Sequence, residues 1–221
     1  MQLEVWSDIV CPWCYLGKRR LEEALGQFEH ADEVEVVWRS FQLDPSYPKG
    51  QPRPVPEDLA EKLGASPARV AAMQGHVTAL AAEVGLDYHL DKSIMANTFD
   101  AHRLTHLARE YGLGAELHER LMRANLVEAE NVDDADTLVR LAGEVGVPAE
   151  AARRVLAGDE YAGDVEADIR QARAFGANGV PFFVLDRRYG ISGAQPTEAF
   201  LAALKQAHQD SASGAGTAAA R

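Results

Sequence analysis

The sequence predicts an α/β protein whose sheet-forming ends enclose a long helical segment. Three observations carry that prediction. Apolar runs of strand length open the chain and return only near its end, at Val180 to Leu185. Between them, from residue 66 to residue 175, apolar side chains recur at helical spacing. A last amphipathic stretch, Thr197 to His208, then closes the pattern.

The first strand is Leu3 to Trp6, where apolar and acidic side chains alternate. Pro12 suits the first position of the helix that follows. Leu21, Leu25 and Phe28 repeat at i, i+4 and i+7 and mark its buried face. Carried backwards, that stripe reaches Lys18, Gly17 and Cys14, so Cys14 should lie on the core face and Cys11 at the exposed mouth of the helix. Val34 to Phe41 is a second strand, made parallel to the first by a right-handed crossover.

Five of the ten prolines, at 45, 48, 52, 54 and 56, then impose an extended, stiff connection. Helices are expected from Ser66-Pro67 to about Val84, closed by Gly85, and over Thr98 to Tyr111, capped by Asn97 and ended by Gly112. Others fit Ala115 to Leu126, Asp136 to Val145, Pro148 to Ala157 and Glu160 to Phe175, the last burying Val165, Ile169 and Ala172. Asp186 to Arg188 turns the chain into a short return strand, Tyr189 to Ser192. The closing helix buries Phe200, Leu201 and Leu204, and residues 210–221, which lack periodicity, are expected to be disordered. The domains read as 1–46 with 176–208 (α/β), 47–175 (helical insertion) and 209–221 (tail).

With 34 acidic against 22 basic side chains, the net charge of −12 argues against nucleic-acid and anionic-membrane partners. The first eight residues have neither the basic nor the apolar region of an export signal, and no run of 18 apolar residues spans a bilayer. A cytoplasmic location follows as the expectation. Thiols stay reduced there, so the two cysteines of the chain are catalytic, redox-sensing or metal-bound rather than a structural bridge.

Those two cysteines form Cys11-Pro12-Trp13-Cys14 where a strand gives way to a helix, the position of a thioredoxin-like redox motif. A thiolate is the attacking species, and a helix N-terminus favours it. Cys11 is therefore the expected nucleophile, with Cys14, one turn on, resolving the mixed disulfide. Trp13 has two readings, an apolar wall beside the reactive sulfur or packing against the proline-rich segment. Asp8 also has two, a water-mediated proton acceptor for Cys14 or, as favoured here, a turn ending the strand. Related centres span roughly −120 to −270 mV, so the direction of electron flow stays open.

Asp8-Ile9-Val10-Cys11-Pro12-Trp13-Cys14-Tyr15, Asn97 to Leu104 and Gly179-Val180-Pro181-Phe182-Phe183 together resemble the DsbA-like proteins of the FrnE type. The resemblance covers about residues 2 to 208 and implies a thioredoxin fold with a large all-helical domain inserted. It implies a cis bond before Pro181 facing the dithiol, with the Val180 backbone open to an extended substrate. It also places Asn97, His102 and Arg103 beside the cleft as substrate contacts. Related kappa-class glutathione transferases and 2-hydroxychromene-2-carboxylate isomerases carry serine where this chain has Cys11, which favours disulfide exchange here. It departs from periplasmic DsbA in lacking an export signal.

The expected activity is thus thiol–disulfide exchange on protein or small-molecule disulfides. No cofactor is implied beyond glutathione as a co-substrate, and residues 190–195 would contact its carboxylate. One alternative is a glutathione-dependent isomerase or transferase. Another is a non-catalytic module held by zinc on Cys11, Cys14, His102 and His106. Their separation is far from finger spacing, and the two histidines fall on the polar side of their helix, so no metal is expected. A monomer and a homodimer fit the sequence equally.

Overall fold

The structure is a computed structural model that describes residues 1–218, with side chains described through 211. β1 (Gln2–Ser7) is buried along most of its length and leads into α1 (Pro12–Gly26) through a tight turn. Pro12 occupies the first turn, where its missing N–H has no helical acceptor to lose. β2 (Glu35–Ser40) returns parallel to β1, from Gln2 opposite Glu35 to Ser7 opposite Ser40.

The chain then leaves the sheet. β3 (Arg53–Pro54) pairs antiparallel with β4 (Ile94–Met95), and α2 (Val55–Leu63) and α3 (Pro67–Glu83) lie between them. α4 (Phe99–Glu110), α5 (Gly114–Leu126), α6 (Ala135–Glu144), α7 (Ala149–Ala157) and α8 (Ala162–Ala174) follow. β5 (Phe182–Leu185) re-enters antiparallel to β1, β6 (Tyr189–Ser192) pairs with β5, and α9 (Thr197–Ala218) ends the described chain. The sheet order is β2-β1-β5-β6.

Two elements depart from expectation. The prolines hide α2, because Pro54 and Pro56 sit at its N-terminal end, where the ring is tolerated, and Gly64 closes it at φ +57°. Residues 210–221 are expected to be disordered; α9 runs on to Ala218, and residues 219–221 lie outside the described residues. Contacts also persist beyond His208: Tyr189 donates to the Asp210 carboxylate, and the Ser211 hydroxyl donates to the Ala207 carbonyl at 2.9 Å.

α1 and α9 cover one face of the sheet, where Leu3, Val5, Leu21, Phe183 and Phe200 pack together. The other face meets α8 through Trp6, Phe182 and Val184, and the Trp6 indole donates to the Asp168 carbonyl at 2.8 Å. A boundary at residue 175 therefore follows a helix that packs on the sheet. The helical region has its own core of leucines, among them Leu104, Leu107, Leu117 and Leu121, joined by Ile9 and Val10 from the turn before α1. Each such side chain contributes about 1.5–3 kcal/mol by burial. Ile9 and Val10 thus pin the turn that carries the cysteines into the helical core. No described helix is long and apolar enough to cross a membrane.

Candidate active site

At the end of β1, the Cys11 amide donates to the Asp8 carbonyl at 3.2 Å and closes the turn. Cys11 is then the extended N-cap of α1, with φ −92° and ψ 110°, and its side chain makes no capping bond. Its sulfur faces another element instead: Sγ lies 3.7 Å from the Val180 carbonyl oxygen, to which the thiol donates. The Val180–Pro181 bond is cis. A segment 169 residues away in sequence thus presents its backbone to the Cys11 sulfur.

Cys14 meets Cys11 one turn into the helix. Its thiol is influenced by Cys11, the Asp8 amide and the Ser7 hydroxyl. Burial pushes the Cys14 thiol well above its ordinary value, and the bond to Cys11 and the charge on that residue raise it further. The Asp8 amide and the Ser7 hydroxyl pull weakly the other way.

The expected exposure of Cys11 is corrected, for it is only 3% exposed and Cys14 1%. The helical region buries both: Val77, Leu86, Tyr88, Met122 and Leu126 close over them. Tyr88 is fixed there by donating to the Pro12 carbonyl at 2.7 Å. Cys14 also packs with this cluster rather than with Leu21 and Phe28, so one face of α1 is shared between the helical region and the sheet. Trp13 is 38% exposed, and its ring lies 6.4 Å from that of His76 on α3.

Asp8 is a brace. One carboxylate oxygen accepts from the Ile9 amide at 2.8 Å and faces His102 Nε2 at 3.3 Å; the other accepts from the Leu43 amide at 2.8 Å. It is the Asp8 backbone amide, not the carboxylate, that reaches Cys14.

The polar side of α4, expected to be solvated or to line the cleft, is interior. His102 is buried against Asp8, and His106 Nε2 lies 3.1 Å from both Ser40 Oγ and Asp168. α4 is sandwiched, its apolar face in the helical core and its polar face on the sheet domain. The four residues of the zinc reading therefore do not converge, because each histidine is taken by a different carboxylate.

Arg103, also buried, gives its guanidinium to the carbonyls of Val155, Gly158 and Glu160 and to Asp100. Asn97 caps α4 from one residue outside Thr98, accepting from the Phe99 amide at 2.9 Å, and donates to the Tyr47 carbonyl at 2.6 Å. It borders an open cleft of about 510 Å³ with Gln42, Lys49 and Arg173. The structure thus gathers Asp8, Cys11, Pro12, Trp13, Cys14, Val180 and Pro181 at one place. Arg103 and Asn97 are engaged by backbone groups.

Sequence reasoning missed Ser7 and His118. His118 Nε2 lies 3.0 Å from Ser7 Oγ, and the ring stacks on Trp38 with centroids 4.9 Å apart. Burial pushes His118 well below 6.5, so it is neutral at pH 7. A buried chain thus runs from Cys14 through Ser7 to a neutral imidazole. The only trace of it in the sequence is a hydroxyl ending an apolar strand; its partner lies 111 residues away.

The sequence pattern of the DsbA-like thioredoxin domain matches residues 2–205. The chain is 33% identical over 148 residues to the uncharacterized protein YwbO of Bacillus subtilis, covering 66% of this chain and 67% of that one. The crystal structure of a probable DsbA oxidoreductase from Streptomyces coelicolor superposes with a TM-score of 0.92 at 48% identity, over 95% of this chain and 90% of that one. More distant in sequence are a 2-hydroxychromene-2-carboxylate isomerase (TM-score 0.70, 13% identity, 96% and 98% covered) and the cytosolic disulfide reductase DsbM of Pseudomonas aeruginosa with GSH (0.60, 21%, 95% and 100%), which share the fold. The paired cysteines thus sit in a domain whose pattern spans nearly the whole chain, and the protein belongs to the DsbA-like thioredoxin domain family.

Proposed function

We propose that the protein is a thiol–disulfide oxidoreductase working through the Cys11–Cys14 dithiol. The observation that carries this reading is the asymmetric sulfur pair at the start of α1. Cys11 sits at the helix N-terminus against the Val180 carbonyl, and Cys14 lies behind it, buried and held protonated.

Cys11, at the N-terminal end of α1, supplies the attacking sulfur. Its thiolate attacks one sulfur of a substrate disulfide, breaking that bond and releasing the other sulfur as a thiolate, which takes up a proton. The product is a mixed disulfide on Cys11. Its formation removes the charge and the hydrogen bond of Cys11, two of the causes that keep the Cys14 proton in place. Cys14 then gives up its proton, which the leaving substrate sulfur takes up, and attacks the Cys11 sulfur, while the Ser7 hydroxyl favours the developing thiolate. The second substrate thiol leaves, and two electrons have moved from the dithiol to the substrate. Oxidation of a substrate dithiol is the same sequence in reverse.

At 3% exposure, Cys11 favours slender disulfides, such as a glutathione mixed disulfide or an extended peptide, over one buried in a folded partner. The GSH in the DsbM structure supports glutathione as the co-substrate. Cysteine at both ends of the motif favours exchange over glutathione-dependent isomerisation. In the test, insulin reduction and oxidation of a model dithiol should both vanish in Cys11→Ser while its far-UV spectrum stays native. Full activity in that variant would remove the assignment.

A further inference from the structure

Far from the dithiol, where the end of α1 meets α9, three side chains converge. His30 Nδ1 lies 3.1 Å from one oxygen of Glu33, and His208 Nε2 lies 3.3 Å from the other. The two imidazoles stack on each other, with centroids 4.0 Å apart and planes 12° from parallel. Phe28, itself buried, sets its edge against both rings, at 5.8 and 5.9 Å. One donor atom from each of His30, Glu33 and His208 can be chosen so that all lie within 4.8 Å of one another.

We propose that His30, Glu33 and His208 form a binding site for a transition-metal dication of the zinc type. Two imidazoles and a carboxylate are the donor set that first-row divalent ions with nitrogen preference take, and three protein ligands leave a position for water. Glu33 faces one imidazole with each carboxylate oxygen, and Phe28 packs edge-to-face with both rings. On binding, the stacked rings turn apart so that each aims an in-plane nitrogen at the ion, at the ~2.0–2.2 Å that zinc requires. The site would tie α9 to the segment that enters β2, at residues outside the redox chemistry.

The proposal is tested on the full chain carrying Cys11→Ser and Cys14→Ser, so that the dithiol cannot hold the metal. After chelator treatment, zinc chloride is titrated calorimetrically, and cobalt chloride is added in parallel to record its visible ligand-field bands. The expected result is one zinc per chain, a rise in Tm with zinc, and a cobalt spectrum of a low-coordinate nitrogen–oxygen site. Adding His208→Gln or His30→Gln should weaken zinc at least tenfold and abolish the Tm rise, with the far-UV spectrum unchanged. Absence of zinc uptake by the double cysteine variant would overturn the proposal, as would undiminished uptake after loss of either histidine. Should a histidine variant misfold, Glu33→Gln, on an exposed side chain, supplies the same comparison.

Discussion

Gly17→Ala pits helix propensity against packing at the point where α1 meets the Pro181 loop. Gly17 lies within α1, where alanine would ordinarily gain about 1 kcal/mol. Here a Cβ would stand 3.0 Å from Pro181 Cγ, 3.3 Å from Phe183 Cζ and 3.4 Å from Ala194 Cβ. The closest neighbour belongs to a ring, and Phe183 is fully buried, edge-on to Phe200 at 4.7 Å between centroids, so little can yield. Overpacking of this kind costs about 1–3 kcal/mol. The net expectation is a loss of roughly 1 kcal/mol, a fall in Tm of about 2–4 °C for a chain of this size. Thiol–disulfide exchange should slow as well, because the methyl group pushes α1, and Cys11 with it, away from the loop bearing Val180. Urea denaturation and insulin reduction measure the two effects. A variant more stable than the parent would show that the contact is loose and that propensity decides.

Ser7→Ala should slow resolution and spare the first attack. It removes a hydroxyl partner of Cys14 and leaves His118 Nε2 unpaired, so a loss of about 1–1.4 kcal/mol, or roughly five- to tenfold, is expected in decay of the mixed disulfide in stopped flow. His118 makes stability depend on pH near neutrality. Its folded value lies below 6.5, so below that pH the unfolded chain binds the extra proton, and stability falls as acid is added, by up to about 1.4 kcal/mol per pH unit. Denaturation midpoints measured between about pH 7 and 5 should show that slope in the parent and lose it in His118→Gln. Asp168 acts at lower pH. Burial opposes its ionisation, yet hydrogen bonds from His106 and the Ser40 amide, with the charges of His106 and Arg109, hold it below the usual range. Its contribution is present above about pH 4 and is lost as pH falls through the folded value. Asp168→Asn should cost roughly 2–3 kcal/mol at pH 7, less than a fully buried pair because Arg39 and Arg109 are partly exposed, and should flatten the acid limb of the stability curve.

Local signals were enough to read much of this molecule. β1, α1, β2 and the β5–β6 hairpin follow from strand-length apolar runs, a proline at a helix start and a turn of polar residues. The cysteine pair is legible because both residues sit at the start of one helix, where the sequence places them. The misread features depend on neighbours distant in sequence. The pattern of α1 by itself leaves Cys11 at an exposed helix mouth; Tyr88, Met122 and Leu126 come from elsewhere to cover it. His102 and His106 occupy the polar face of α4, which the core-facing leucines oppose, yet Asp8 and Asp168 give that face an interior of its own. α2 was masked by prolines that disfavour helix interiors but suit a first turn. The Ser7–His118 contact joins β1 to α5, a pairing that no periodicity announces.

The proposed division of labour between Cys11 and Cys14 is open to a trapping experiment. Cys14→Ser and Cys11→Ser are each mixed with oxidised glutathione or an oxidised extended peptide, quenched in acid and weighed intact by mass spectrometry. The account predicts a stable adduct on Cys11 in Cys14→Ser, released by added thiol, and little or none on Cys14 in Cys11→Ser, where the remaining thiol is buried and protonated. Equal adducts in the two variants, or an adduct formed chiefly on Cys14, would contradict it.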